Sequence, residues 1–134
     1  MIIADTDVII DYLEGRGYGA EAVSQALLRD QLQTTAVDYF ELVSGARRRR
    51  EQEAVRALLE SIPVLPLDVD AARRAAQVRQ QLERSGFGIG MGDSLIAGIV
   101  LARGGSLLTR NKRHFERVLE LRLADPQGLR PDLA

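Results

Sequence analysis

Apolar runs of two to four residues alternate with longer helical patterns along the whole 134-residue chain, and this alternation limits the possible folds most. Met1-Ile2-Ile3-Ala4 stops abruptly at Asp5 and reads as a short buried strand. Asp5-Thr6-Asp7 then opens an apolar-rich segment that ends at Gly15. Asp or Thr before such a segment and Gly after it are helix caps. Residues 20–31 carry Val23, Ala26 and Leu27 at helical spacing, and residues 31–34 form a weak strand. Thr35, with Asp38 three residues later, resembles a capping box with Asp in place of Glu. It predicts a helix through Phe40 and Val43 to Gly45. Val55, Leu58, Leu59 and Ile62 form the stripe of a further helix that starts at Arg47–Arg50.

Pro63 and Pro66 bracket Val64-Leu65, which reads as an edge strand. Asp68 or Asp70 caps a long helix with Ala71, Ala75, Val78 and Leu82 on one face. Residues 86–92 alternate Gly with Phe, Ile and Met, and residues 93–102 are apolar enough for a buried helix. Gly104-Gly105 ends it. Strands follow over 106–109 and 121–123, with a polar turn and short helix over 111–119 between them. The last residues, 125–134, contain Pro126 and Pro131 and are expected to fray. Strands that alternate with helices imply one α/β domain over residues 1–134 with a mainly parallel sheet.

Composition removes several chemistries. There is no Cys, so no disulfide, thiolate nucleophile or Cys-based zinc site. A single His, at 114, leaves no two-His zinc motif. Ten Asp and nine Glu remain, and carboxylates without His or Cys point to hard metal ions. No stretch approaches the roughly 20 apolar residues of a membrane span. The start has no basic segment, meets an acid at once and is not expected to be a signal peptide, while the lack of Cys makes the cytoplasm the expected compartment.

The net charge of −1 hides a split. Residues 1–46 carry two Arg and eight acids, a net of −6; residues 47–134 carry sixteen bases and eleven acids, a net of +5. Such asymmetry fits a nucleic-acid partner as well as it fits a solvated helical surface.

Ligands of open α/β sheets bind outside the carboxyl ends of the strands. Asp5 and Asn111 follow apolar strands, and Asp93 opens the buried helix. Glu41 shares a helical spacing with Val37, Phe40 and Ser44, where an acid is costly unless paired. Each also has a plain structural role: Asp5 and Asp93 as caps, Glu41 at the edge of its stripe. Asp5, Glu41 and Asp93, from three distant segments, could converge on one metal pocket.

Together these segments resemble the PIN-domain ribonucleases of the VapC toxin type. Met1-Ile2-Ile3-Ala4-Asp5-Thr6-Asp7-Val8-Ile9-Ile10-Asp11-Tyr12-Leu13 is similar to the family's opening strand and helix. Glu41-Leu42-Val43-Ser44-Gly45-Ala46 is similar to its Glu-Leu-x-x-Gly-Ala, and Asp93-Ser94-Leu95-Ile96-Ala97 to its Asp-x-Leu-Ile-Ala. Leu108-Thr109-Arg110-Asn111-Lys112-Arg113-His114-Phe115 resembles the closing segment. Four motifs in order cover nearly the whole chain.

The resemblance implies a three-layer α/β/α domain and a metal-dependent endoribonuclease, the toxin of a toxin–antitoxin pair. Asp5, Glu41 and Asp93 match the three acids that hold Mg²⁺ or Mn²⁺. Asn111 is neutral where members often supply a fourth acid, and His114 stands where Asp before Phe is common, so a second metal is absent, weak or water-mediated. Thr6 and Ser94 are placed to orient the carboxylates or to cap helices, and Asp7 is a supporting acid. Arg110, His114 and Arg47 are candidate substrate contacts. A homodimer and inhibition by a small VapB-like antitoxin are implied, with an antitoxin Arg in the acidic pocket. The alternatives are a non-catalytic α/β binding module with a decayed site, and another Mg-dependent nuclease or phosphatase.

Other signals are weaker. Gly86–Gly92 lacks the GK[ST] of a phosphate loop and reads as a flexible lead into Asp93. Three Phe, three Tyr and no Trp leave few stacking platforms, so RNA recognition is expected to rest on shape and backbone charge.

Overall fold

The computed structural model describes residues 1–126, so the end of the tail expected to fray lies outside the described residues. The element order is β1 (Ile2–Ala4), α1 (Thr6–Glu14), α2 (Ala20–Leu28), β2 (Leu32–Thr35), α3 (Ala36–Gly45), α4 (Arg49–Ser61), β3 (Val64–Leu65), α5 (Val69–Arg84), α6 (Met91–Arg103), β4 (Ser106–Leu108), α7 (Lys112–Phe115) and β5 (Arg122–Leu123). The five strands lie side by side in the order β3-β2-β1-β4-β5, and every pairing is parallel. Parallel neighbours need a crossover between them, and the helices supply it.

Strand periodicity builds the layers. Neighbouring side chains on a strand point to opposite faces. Ile3 and Leu107 enter one core cluster with Val78, Leu82, Ile96, Val100 and Phe115. Ala4 and Leu108, one position on, enter the other with Val8, Ile9, Val23, Leu58 and Leu59. So α5, α6 and α7 cover one face and α1, α2 and α4 the other. The closest helix pair is α5 and α6, where a Cβ on Gly98 would lie 2.4 Å from the Ala71 carbonyl oxygen and 2.6 Å from Ala75 Cβ. Only glycine fits that approach.

The helix limits follow their caps. Asp5 caps α1 and Gly15 closes it at a φ of 73°. Thr35 caps α3 and Asp68 caps α5 through their side chains. Two details differ from expectation. Helix α6 starts at Met91 with Gly90 as its cap, so Asp93 sits inside the first turn rather than before it. In α3 the Phe40 stripe faces out, with Phe40 69% exposed, while Asp38 and Leu42 face in.

The order places a topological switch at β1. The chain leaves β1 toward β2 and β3, then returns to β4 on the other side. A crevice therefore opens above the carboxyl ends of β1, β2 and β4, where such sheets bind ligands.

Candidate metal centre

The residues at those strand ends are Asp5 after β1, Thr35 closing β2 and Thr109 after β4. The β1–β4 ladder continues as the Asp5 N–H donates to the Leu108 carbonyl at 2.9 Å. This fixes the Asp5 backbone at the switch. One Asp5 oxygen accepts from the Thr6 N–H at 2.8 Å and the other from the Thr109 hydroxyl at 2.7 Å. Asp5 thus caps α1 and also faces the crevice, so its structural and chemical roles coexist.

Asp38 lies one turn into α3 and is wholly buried. Its Oδ1 accepts from the Thr6 N–H at 2.9 Å and lies 2.8 Å from the Thr6 hydroxyl. Its Oδ2 lies 2.7 Å from the Thr35 hydroxyl. One turn further, Glu41 Oε1 sits 2.8 Å from the same Thr6 hydroxyl. Asp5, Asp38 and Glu41 each present one oxygen such that the three lie within 4.8 Å of one another. Three hard oxygen donors this close suit Mg²⁺ or Mn²⁺.

Like charges and burial act on these acids. The Asp38 carboxyl is pushed well above its ordinary range by burial and then by the Asp5 charge, against the Thr35 and Thr6 hydrogen bonds. Asp7 is raised to about 6, by burial first and by Asp5 second, while Arg110 pulls it down. Its Oδ2 accepts from the Arg110 N–H at 3.2 Å, but Oδ1 is buried without a protein partner. A buried oxygen of this kind is costly. The three oxygen donors of Asp5, Asp38 and Glu41 fit a divalent ion.

The far wall of the crevice comes from α6 and α7. A Cβ on Gly92 would stand 4.0 Å from Glu41 Oε2, so the start of α6 approaches Glu41 one residue before Asp93. Asp93 Oδ2 is hydrogen-bonded at 2.6 Å to His114 Nδ1. Asp93 lies outside the close group of three oxygens. Asn111 is exposed, precedes α7, and its N–H donates to the Thr109 hydroxyl at 3.0 Å.

The remaining candidates fall in different places. Ser94 is buried and donates to the Gly90 carbonyl at 3.0 Å, which closes the first turn of its own helix. The Arg110 guanidinium reaches the Asp7 carbonyl oxygen at 3.4 Å and the buried Asp11 carboxylate at 3.4 Å. Asp11 also accepts from the Gly19 N–H at 3.0 Å. Arg110 therefore ties the end of β4 to α1. Arg47 is exposed and shares with Glu41 a groove of about 760 Å³, floored by Ile10, Leu13, Leu42 and Val55.

Asp38 is the residue that the motifs missed. As a sequence, Thr35 and Asp38 read as a capping box, which accounts for Asp38 without chemistry. The signal that it belongs to the site was its spacing: Asp38 and Glu41 are three apart and share a helix face.

The chain joins a parallel α/β sheet to an acidic crevice at its switch point, and the PIN domain family model matches residues 2–121. The chain is 34% identical over 122 residues to ribonuclease VapC10 of Mycobacterium tuberculosis, covering 91% of each chain. It is 38% identical over 95 residues to the tRNA(fMet)-specific endonuclease VapC of Shigella flexneri, covering 68% of this chain and 72% of that one. The crystal structure of DNA-bound VapBC from Salmonella typhimurium superposes with a TM-score of 0.78 at 27% identity, over 93% of this chain and 97% of that one. The chain belongs to the PIN-domain family and, within it, to the VapC ribonuclease toxins.

Proposed function

We propose that this VapC-family endoribonuclease hydrolyses RNA phosphodiester bonds with Mg²⁺ or Mn²⁺ held by Asp5, Glu41 and Asp93. The observation that carries the reading is the convergence of Asp5, Asp38 and Glu41 oxygens within 4.8 Å at the switch of the sheet, with the Asp93 helix opening beside Glu41. A divalent ion held there supplies an acidified water as nucleophile and stabilises charge on the phosphate. The residues of the chain do the rest. Thr109 and the Thr6 N–H orient Asp5, and the Thr6 hydroxyl orients Glu41. His114 Nδ1 holds one oxygen of Asp93 and leaves the other for the ion. Asn111, without charge, supplies at most a water-mediated contact to a second ion.

RNA is bound through its backbone by the basic rim. Arg47 lies on the groove that reaches Glu41; Arg110, in the turn after β4, and His114, in α7, complete the rim. The chain acts as a homodimer in the cytoplasm. Among the described residues no helix is long and apolar enough to cross a membrane. A small VapB-like antitoxin restrains it by placing an Arg among the acids; likeness to a VapBC complex supports this partner.

The test is cleavage of RNA by the purified chain with Mg²⁺ or Mn²⁺, set against DNA as competitor. Cleavage that needs the ion, prefers RNA and is lost in Asp5→Ala and Asp93→Ala is expected. Undiminished cleavage by both variants would sink the assignment. Adding the antitoxin should stop the reaction, and unchanged activity would remove that partner.

A further inference from the structure

The Thr35 cap does not use the Asp38 carboxylate. In a capping box the third residue of the helix reaches back to the cap's backbone N–H. Here the cap is complete once the Asp38 N–H donates to the Thr35 hydroxyl at 3.1 Å. The carboxylate instead turns toward the Thr35 hydroxyl and Thr6. Burying a carboxyl group is costly unless it is hydrogen-bonded. A helix cap alone gives no reason to bury one in that place.

The second observation is the contrast with Glu41. Glu41 is exposed, so its side chain would wander among rotamers. It is tied at Oε1 by the Thr6 hydroxyl. Thr6 in turn is held by Asp38 at its N–H, and the one proton of its hydroxyl is shared between the Asp38 and Glu41 oxygens, each 2.8 Å away. The hydrogen bonds run from Thr35 through Asp38 and Thr6 to Glu41, from the end of β2 to the end of β1 and back to α3.

We propose that Asp38 is a positioning residue of the metal centre: through Thr6 it holds Glu41 ready for the ion. This rests on the metal-dependent reading above.

The experiment measures Mn²⁺ binding by isothermal titration calorimetry, without RNA, on the full chain, on Asp38→Ala and on Asp38→Asn, with metal-free melting beside it. Ala removes the acceptor for Thr6, whereas Asn keeps an oxygen for the Thr6 N–H and an amide for the Thr35 hydroxyl. Mn²⁺ binding should weaken by about 10–100-fold in Asp38→Ala and return most of the way in Asp38→Asn. A purely structural Asp38 would lower metal-free Tm in Asp38→Ala and leave Mn²⁺ affinity unchanged, which overturns the proposal. Thr6→Val gives a second arm that does not depend on the folding of the first. Its affinity should fall in the same range, and the double variant with Asp38→Ala should lose little more than either single one. Fully additive losses would overturn the route through Thr6. Wild-type protein that binds no Mn²⁺ would overturn the metal reading as a whole, whereas wild-type binding matched by Asp38→Ala would overturn this inference alone.

Discussion

The two walls of the crevice are built differently. On the β1–β2 wall, Asp5 and Asp38 are buried and, with Glu41, make six hydrogen-bonding contacts to Thr6, Thr35 and Thr109 at lengths of 2.7–2.9 Å. On the α6–α7 wall, Asp93 and His114 hold each other by one bond, with side chains 24% and 52% exposed. The first wall is fixed by the core of the sheet. The second is set by two helix ends at the surface, so it can adjust when an ion or RNA arrives.

This difference predicts that equal losses of activity will come with unequal losses of stability. Asp5→Ala and Asp93→Ala should each lower RNA cleavage on the order of 10³-fold, the scale of losing a group that stabilises transition-state charge. Melting separates them. Asp5→Ala removes the cap of α1, about 1 kcal/mol, and leaves the buried Thr109 hydroxyl with a 3.4 Å contact to Asp7. Asp93→Ala should cost less than Asp5→Ala, because it gives up one hydrogen bond to a half-exposed partner, His114. Equal Tm losses would erase the distinction between the walls.

A smaller effect is expected at His114. His114→Ala should weaken Mn²⁺ affinity by about 10-fold, the low end for a residue that orients a ligand. His114→Asn retains an N–H donor and should recover part of it. If both variants bind Mn²⁺ as the wild type does, the α6–α7 wall needs no orienting bond.

The pH dependence of metal-free stability sharpens the same comparison. Asp7, on the buried wall, has a folded pKa of about 6 against an ordinary 3.8. The folded state therefore binds more protons than the unfolded state between these values, and stability falls as pH rises from about 4 to 6. Asp38 is shifted in the same direction. For half-buried Asp7 the loss is on the order of 1 kcal/mol after solvent screening. Melting in chelator across pH 4–7 should show Tm falling with pH, with a shallower fall in Asp7→Asn. A rise over this window would contradict the assignment of buried acids.

The smallest effect belongs to the rim. Arg47→Ala should weaken RNA binding a few-fold and reduce the salt slope by about one, as for a single phosphate contact. Arg110→Ala should instead show first in stability, because its guanidinium is engaged by Asp11 and Asp7. Equal effects on RNA affinity would mean that Arg110 leaves these partners when RNA binds.

Much of this was legible in the chain. The strands and helices follow caps and periodicities that need only local sequence: Asp5, Thr35 and Asp68 as caps, Gly15 and Gly104 as stops, Ala71, Ala75, Val78 and Leu82 as a buried stripe. The motifs also marked Asp5, Glu41 and Asp93. What misled was orientation. Val37, Phe40, Glu41 and Ser44 share a face, as their spacing requires, yet Phe40 faces solvent and Asp38 faces inward. Spacing says which residues lie together, not which side of the helix meets the core.

The amino-acid sequence by itself determined the alternating parallel architecture and the acidic, metal-seeking character of the protein. Helix and strand periods and the absence of Cys act along the chain, residue by neighbouring residue. Only the tertiary structure decided that Asp38 joins Asp5 and Glu41, that Asp7 keeps an orphaned oxygen, and that Asp93 pairs with His114. These depend on partners 21 to 103 residues away. Whether a buried carboxylate is tolerable is settled by the groups the fold brings to it.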